Sequence, residues 1–203
     1  MLIKLYQDNP NKKELLKVVD VLRRDGVIIF PTDSVYAIGC SLDSQKAMSK
    51  IAKLKGIKSE KAHFSIICSS LSNIARYPKV SNSLFKLMKR NLPGPFTFIL
   101  PGSSELPKLF NSKRKTIGIR IPDHYIPRSI VDELDFPIVT TSLKETDDVV
   151  EYLTDPELIY EKYKNQVDLV INGGYGHNQA STIVECSDDS CEIIRQGIAE
   201  LEE

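Results

Sequence analysis

Three polar residues stand directly behind one apolar run: Thr32, Asp33 and Ser34 follow Val27-Ile28-Ile29-Phe30 after a single proline. The same arrangement recurs along the chain. Arg120 closes a strand-like stretch ahead of Pro122, and Thr140, Thr141 and Ser142 close another. Ser181 and Thr182 open a third, Arg195 ends the last before Gly197, and Lys53 and Lys55 lie at the end of a helical stripe. In α/β sheets, ligands settle where strands end, because backbone groups and side chains converge there while strand interiors are packed. Two arginines and two lysines brought to one crevice suit carboxylate or phosphate oxygens, Arg as a planar fork and Lys as a compact point charge. Each position also has a plain structural use. Thr32 and Asp33 fit a turn closed by their own side chains, and Lys53 and Lys55 complement a helix C-terminus. Arg120 fits an edge strand, and Ser181 and Thr182 fit a β surface.

Other chemistries lack their residues. The chain has no G-x-x-x-x-G-K-[ST] loop, no G-x-G-x-x-G turn, no G-x-S-x-G elbow and no H-E-x-x-H helix. The three histidines, His63, His124 and His177, come with no triad signature. Cys186 and Cys191 near His177 lack the second ligand pair that a structural zinc needs. With Cys40 and Cys68 they read as reduced thiols. No signal-peptide pattern opens MLIKLYQDNP, and no apolar run nears the ~20 residues of a membrane span, so a soluble cytoplasmic chain is expected.

The elements that must position these residues follow from periodicity. Leu15, Val18, Val19 and Leu22 form one helix stripe, which Gly26 is expected to stop before a buried strand over Val27–Phe30. Further stripes at Ala47, Ile51, Ala52, Leu54 and at Leu84, Phe85, Leu87, Met88 predict two more helices, followed by strands at Phe64–Cys68 and Phe96–Leu100. Later strands are expected at Lys115–Arg120, Ile138–Ser142, Val167–Asn172, Ser181–Glu185 and Glu192–Arg195, with helices at Pro127–Leu134 and Asp155–Lys164. Strands outnumber helices in the second half, so the sheet should be mixed and twisted. The 203 residues, 41% hydrophobic and without repeats or Gly/Ser linkers, predict a single domain over residues 1–203. Glu145–Thr154 is polar and acidic enough for a mobile loop. Equal counts of 27 basic and 27 acidic residues leave no long-range field for a polyanion. Basic character is local, at Lys50, Lys53, Lys55, Lys58 and Lys61 and at Lys113, Arg114 and Lys115.

Taken together, the motifs resemble the YrdC/YciO family. GVIIFPTDSVYAIG (Gly26–Gly39) is similar to its P-T-[DE]-[TS]-x-Y-[GA]-[LI]-G opening, Lys53-Leu54-Lys55 to its K-x-R, and Pro93-Gly94-Pro95-Phe96-Thr97 to its P-G-P-x-T turn. The order continues through Ile117–Pro122, Thr141-Ser142, Asp168–Gly174, Ser181–Val184 and Ile194–Gly197, covering almost the whole chain. The resemblance implies a YrdC-like α/β fold: a twisted mixed sheet with flanking helices and an open concave basic cleft. It also implies a threonylcarbamoyl-AMP synthase-like nucleotidyltransferase that uses ATP, accompanied by Mg2+, with L-threonine and bicarbonate, linked to the t6A modification of tRNA.

Carried over by position, Thr32, Arg120, Ser142 and Ser181 would hold threonine. Lys53, Lys55, Lys144 and Arg195 would contact the nucleotide, with Lys53 and Arg120 as catalytic residues. Three departures point to the YciO branch: Lys55 in place of the K-x-R arginine, Lys144 in place of the S-x-N asparagine, and Ile67 in place of a strand histidine. An alternative implied by the Lys50–Lys61 stretch is a module that binds double-stranded RNA or tRNA with weak or no synthase activity. The sequence leaves the oligomeric state open.

Overall fold

The computed structural model describes residues 1–56, 64–76, 78, 80–102, 116–143, 153–187 and 190–202. A short strand, β1 (Leu2–Lys4), precedes the first helix. Asn11 starts that helix, because its side chain accepts the N–H groups of Lys13 and Glu14 at 2.9 and 3.3 Å. Helix α1 (Lys12–Arg23) then buries Leu15, Val18, Val19 and Leu22, the four residues of the stripe. Its stop differs from the expectation. Asp25, not Gly26, takes the left-handed conformation, at φ 59°. Gly26 is needed for room: a Cβ there would fall 2.4 Å from Val21 Cγ1 and 2.5 Å from the Val21 carbonyl oxygen.

Beside a 3-10 helix at Leu71–Arg76, the chain continues through β2 (Ile28–Phe30), β3 (Ala37–Ser41), α2 (Gln45–Leu54), β4 (Ser65–Ile67), α3 (Asn82–Asn91), β5 (Phe96–Pro101) and β6 (Thr116–Arg120). They are followed by α4 (Tyr125–Leu134), β7 (Ile138–Ser142), α5 (Pro156–Tyr163), β8 (Leu169–Asn172), β9 (Thr182–Cys186) and β10 (Cys191–Arg195). The strands form one mixed sheet in the order β1-β8-β2-β3-β7-β4-β6-β5-β9-β10. Strand period divides the core in two. Ile28, Phe30, Leu169 and Ile171 face one way and pack with α1 and α4. Ile29 and Val170 face the other way and pack with Met48 and Ile51 of α2, Met88 of α3 and Ile159 of α5. Helices on both faces explain why β2 is apolar at every position.

Strand β3 was hidden in the sequence because it begins inside the opening motif and is buried at all five positions, so it shows no alternation. The cysteine reading is corrected. Cys186 and Cys191 lie opposite each other in the β9–β10 register and form a disulfide, while Cys40 and Cys68 stay free and buried. Only the hairpin register brings the pair together, and sequence spacing does not reveal register. No helix among the described residues is long and apolar enough to cross a membrane. Lys58, Lys61, His63, the run Lys113–Lys115, Lys144 and most of the acidic segment Glu145–Thr154 lie outside the described residues.

Candidate active site

The sheet brings together residues that its strand order would separate. Four strand spacings of about 4.8 Å would hold β2 and β6 roughly 19 Å apart in a flat sheet. Yet the loop after β2 meets the end of β6, so the sheet curls into a concave face. Arg120 Nη2 donates to Asp33 Oδ1 at 2.9 Å and to Ser34 Oγ at 3.0 Å. Asp33 Oδ2 accepts the Asp123 N–H at 2.7 Å, closing the loop onto the segment that joins β6 to α4. The ion pair is buried, with side-chain exposures of 7% for Arg120 and 8% for Asp33.

Register aligns the rest of this wall. Phe98 pairs with Ile119, so one step further Thr97 stands beside Arg120. Thr97 pairs with Ile183, and Ile183 with Arg195. Arg120, Thr97, Ile183 and Arg195 thus occupy one row across four adjacent strands. Ser181, two residues before Ile183, is on the same face, with its hydroxyl 2.9 Å from Thr97 Oγ1. Arg195 folds over it, donating from Nη2 to the Ser181 carbonyl at 2.7 Å and from Nε at 3.3 Å.

Burial lowers the pKa of Arg120, with Asp33 opposing, and burial raises Asp33 above the usual carboxylate value, with Arg120 opposing. Arg195 is lowered by burial and then by the charge of Arg120, so two guanidinium groups repel each other across Ser181. An anion between them relieves both costs. Arg120 Nε is buried without a hydrogen-bond acceptor among the described residues. An unpaired buried N–H is costly, and a ligand oxygen is the kind of group that satisfies it.

Thr32 sits one step behind this wall. Its hydroxyl donates to the Val35 carbonyl at 2.8 Å and accepts the Ser34 N–H at 3.1 Å, so it closes the turn that aims Ser34 at Arg120. Lys55 belongs to the adjoining wall, where its Nζ lies 3.5 Å from the Leu143 carbonyl. Leu143 N–H donates to the Tyr36 carbonyl, and Ser142 pairs with Ala37, so Lys55 reaches the backbone next to Ser142 at the far end of the same loop. Lys53 is exposed on the last turn of α2. Lys50 of the basic stretch is ion-paired with Asp168 at 3.0 Å.

Sequence reasoning passed over several members. Asp33 and Ser34 stood among the polar residues noted behind the first strand but received no individual role, and Thr97 was quoted only within its motif. Tyr36 was also missed. Its hydroxyl donates to the Gly174 carbonyl at 2.7 Å and accepts the Gly173 N–H at 3.3 Å, tying the opening motif to the DLVINGG segment. Burial pushes that phenol up to about 12. His124 follows Asp123, and burial pushes it down to about 4, with the Asp123 charge opposing and that of His177 adding.

A family model named for Sua5, YciO and YrdC, with the description telomere recombination, matches residues 20–197. The chain belongs to the Sua5/YciO/YrdC family. Within this family, Escherichia coli YciO is 37% identical over 97% of this chain and 95% of its own. Its crystal structure superposes with a TM-score of 0.91 at 35% identity, covering 100% of this chain and 98% of that one. Human threonylcarbamoyl-AMP synthase is 31% identical over 91% of this chain and 67% of its own. Sua5 of P. abyssi, complexed with L-threonine, shares the fold with a TM-score of 0.87 at 22% identity, over 97% of this chain and 57% of that one.

Proposed function

We propose that this chain makes threonylcarbamoyl-adenylate from ATP, L-threonine and bicarbonate, supplying the t6A modification of tRNA. The observation that carries the reading is the unsatisfied Nε of buried Arg120, in a wall where buried Ser181 is covered by the exposed Arg195, a cationic surface suited to a carboxylate and to phosphate oxygens. Threonine synthesised into a carbamate fits this wall: its amine adds to bicarbonate carbon with loss of water, giving N-carboxy-threonine. A carboxy oxygen then attacks the α-phosphorus in line while the bond to pyrophosphate breaks. Arg120, held at fixed angle by Asp33 and Ser34, is the group to orient the amino-acid carboxylate. Arg195, Lys53 and Lys55 are the cations to neutralise charge on the α-phosphate and leaving pyrophosphate. No cluster of three or more potential metal ligands occurs among the described residues, and both Asp33 oxygens are engaged. Mg2+ would therefore enter on the phosphates of ATP.

The test is to incubate the protein with ATP, L-threonine, labelled bicarbonate and Mg2+, measuring adenylate and pyrophosphate. Threonine-dependent formation of both is expected. Yields no higher than those of Lys53→Ala would refute the reading.

A further inference from the structure

We propose that Ser65 reads the β-hydroxyl of the amino-acid substrate, an inference that deepens the proposed function and rests on its placing of the substrate carboxylate at Arg120. Ser65 lies on β4 and pairs with Gly118 of β6, two residues before Arg120. Residues two apart on a strand share a face, so Ser65 stands on the same face of the sheet as Arg120. One strand spacing across and two residues along separate their Cα atoms by about 8 Å, close enough for one amino acid to touch both side chains. Gly118 bares the floor between them. A Cβ there would fall 2.3 Å from Ser65 Oγ and 3.2 Å from Thr97 Cγ2, so a hydroxyl from β4 and a methyl group from β5 close over the same Cα. The other hydroxyls nearby are spent on the protein: Thr32 on the Val35 carbonyl, Ser34 on Arg120, Thr97 and Ser181 on each other, and Thr140 on the Ile38 carbonyl. Ser65 is half-buried, and its hydroxyl has no hydrogen-bond partner among the described residues.

The floor matches a branched side chain that carries one hydroxyl and one methyl group. With the carboxylate held by Arg120 and the amine left open to bicarbonate, the remaining substituent on the substrate Cα is its side chain, which this floor receives. A β-hydroxyl can donate to Ser65 Oγ or accept from it, and the methyl group then rests on Thr97 Cγ2. A substrate without the hydroxyl covers Ser65 and leaves it unpaired, and that loss is what discriminates.

The experiment titrates L-threonine and its isostere L-valine into the wild-type protein and into Ser65→Ala by calorimetry. Valine carries a methyl group in place of the hydroxyl, so the ratio of the two affinities isolates that group. The wild-type protein should favour threonine roughly tenfold, the worth of one hydrogen bond, and Ser65→Ala should bring the ratio close to one by weakening threonine alone. A merely structural role for Ser65 would weaken both ligands together. Gly118→Ala, which sets a Cβ against Ser65 Oγ, should lower the same ratio. No threonine binding by the wild-type protein, a wild-type ratio near one, or a ratio that Ser65→Ala leaves unchanged would overturn the proposal. Adenylate and pyrophosphate are measured separately. A Ser65-dependent preference for threonine without product sinks the proposed function and upholds the hydroxyl contact, whereas product with a Ser65-independent ratio sinks the contact alone.

Discussion

Removing the Asp33 carboxylate should destabilise the protein far more than the ion pair's net worth suggests. Arg120 and Asp33 are both more than nine-tenths buried, and desolvation dominates the pKa of each. The pair as a whole therefore gains little over an apolar replacement, since charge attraction mainly offsets the cost of leaving water. Asp33→Ala is different, because it leaves the guanidinium buried with Ser34 Oγ as the remaining acceptor on Nη2 and frees the Asp123 N–H. Breaking one side of a buried pair costs about 3–5 kcal/mol. Asp33→Ala combined with Arg120→Met removes the stranded charge and should recover about 2 kcal/mol of that loss. Urea unfolding at pH 7, followed by far-ultraviolet circular dichroism, completes the double-mutant cycle. A cost below about 1 kcal/mol for Asp33→Ala, or a double variant no more stable than that single one, would refute the reasoning.

Three further outcomes follow from other contacts. His124 titrates near 4 when folded and near 6.5 when unfolded, so the unfolded chain takes up the proton first as pH falls. Its contribution is complete above pH 6.5 and is lost progressively down to about 4, up to about 3 kcal/mol in all, and His124→Gln should flatten that slope in unfolding measured against pH. Tyr36→Phe removes the hydroxyl that clamps Gly173 and Gly174. It should cost about 1–2 kcal/mol and speed amide exchange at Gly173 and Gly174, whereas unchanged exchange there would argue against the clamp. Gly197→Ala places a Cβ 2.3 Å from the Ala180 carbonyl oxygen and 2.4 Å from the Thr182 nitrogen. Backbone must move, so a loss above about 3 kcal/mol and a lowered denaturation midpoint are expected, with a wild-type midpoint as the contrary result.

Periodicity and punctuation carried most of the fold. The stripe of α1, the run of β2 and the full span of β7 were legible because local burial pattern and element type agree there. The helix expected over Asp155–Lys164 spans Pro156–Tyr163, with Asp155 as its cap accepting the Glu157 N–H at 2.8 Å. Strand β3 was not legible, since burial on both faces erases alternation. The disulfide was not, since two cysteines five apart become neighbours only when the hairpin register sets them opposite.

For the site, residue type and position at strand ends marked Arg120, Ser181 and Arg195 as candidates, and only the order of the family motifs gave them roles, because a cation or hydroxyl at a strand end also has plain structural uses. The sequence by itself also carried the family, through the order of its motifs. What only tertiary structure decided was how each side chain is occupied. Thr32 spends its hydroxyl on its own turn, Arg120 is held by Asp33 and Ser34, and Arg195 reaches Ser181 through a row spanning four strands. Hydrogen-bonding capacity and desolvation depend on what lies within a few ångströms, and sheet order and curl, not chain distance, determine that neighbourhood.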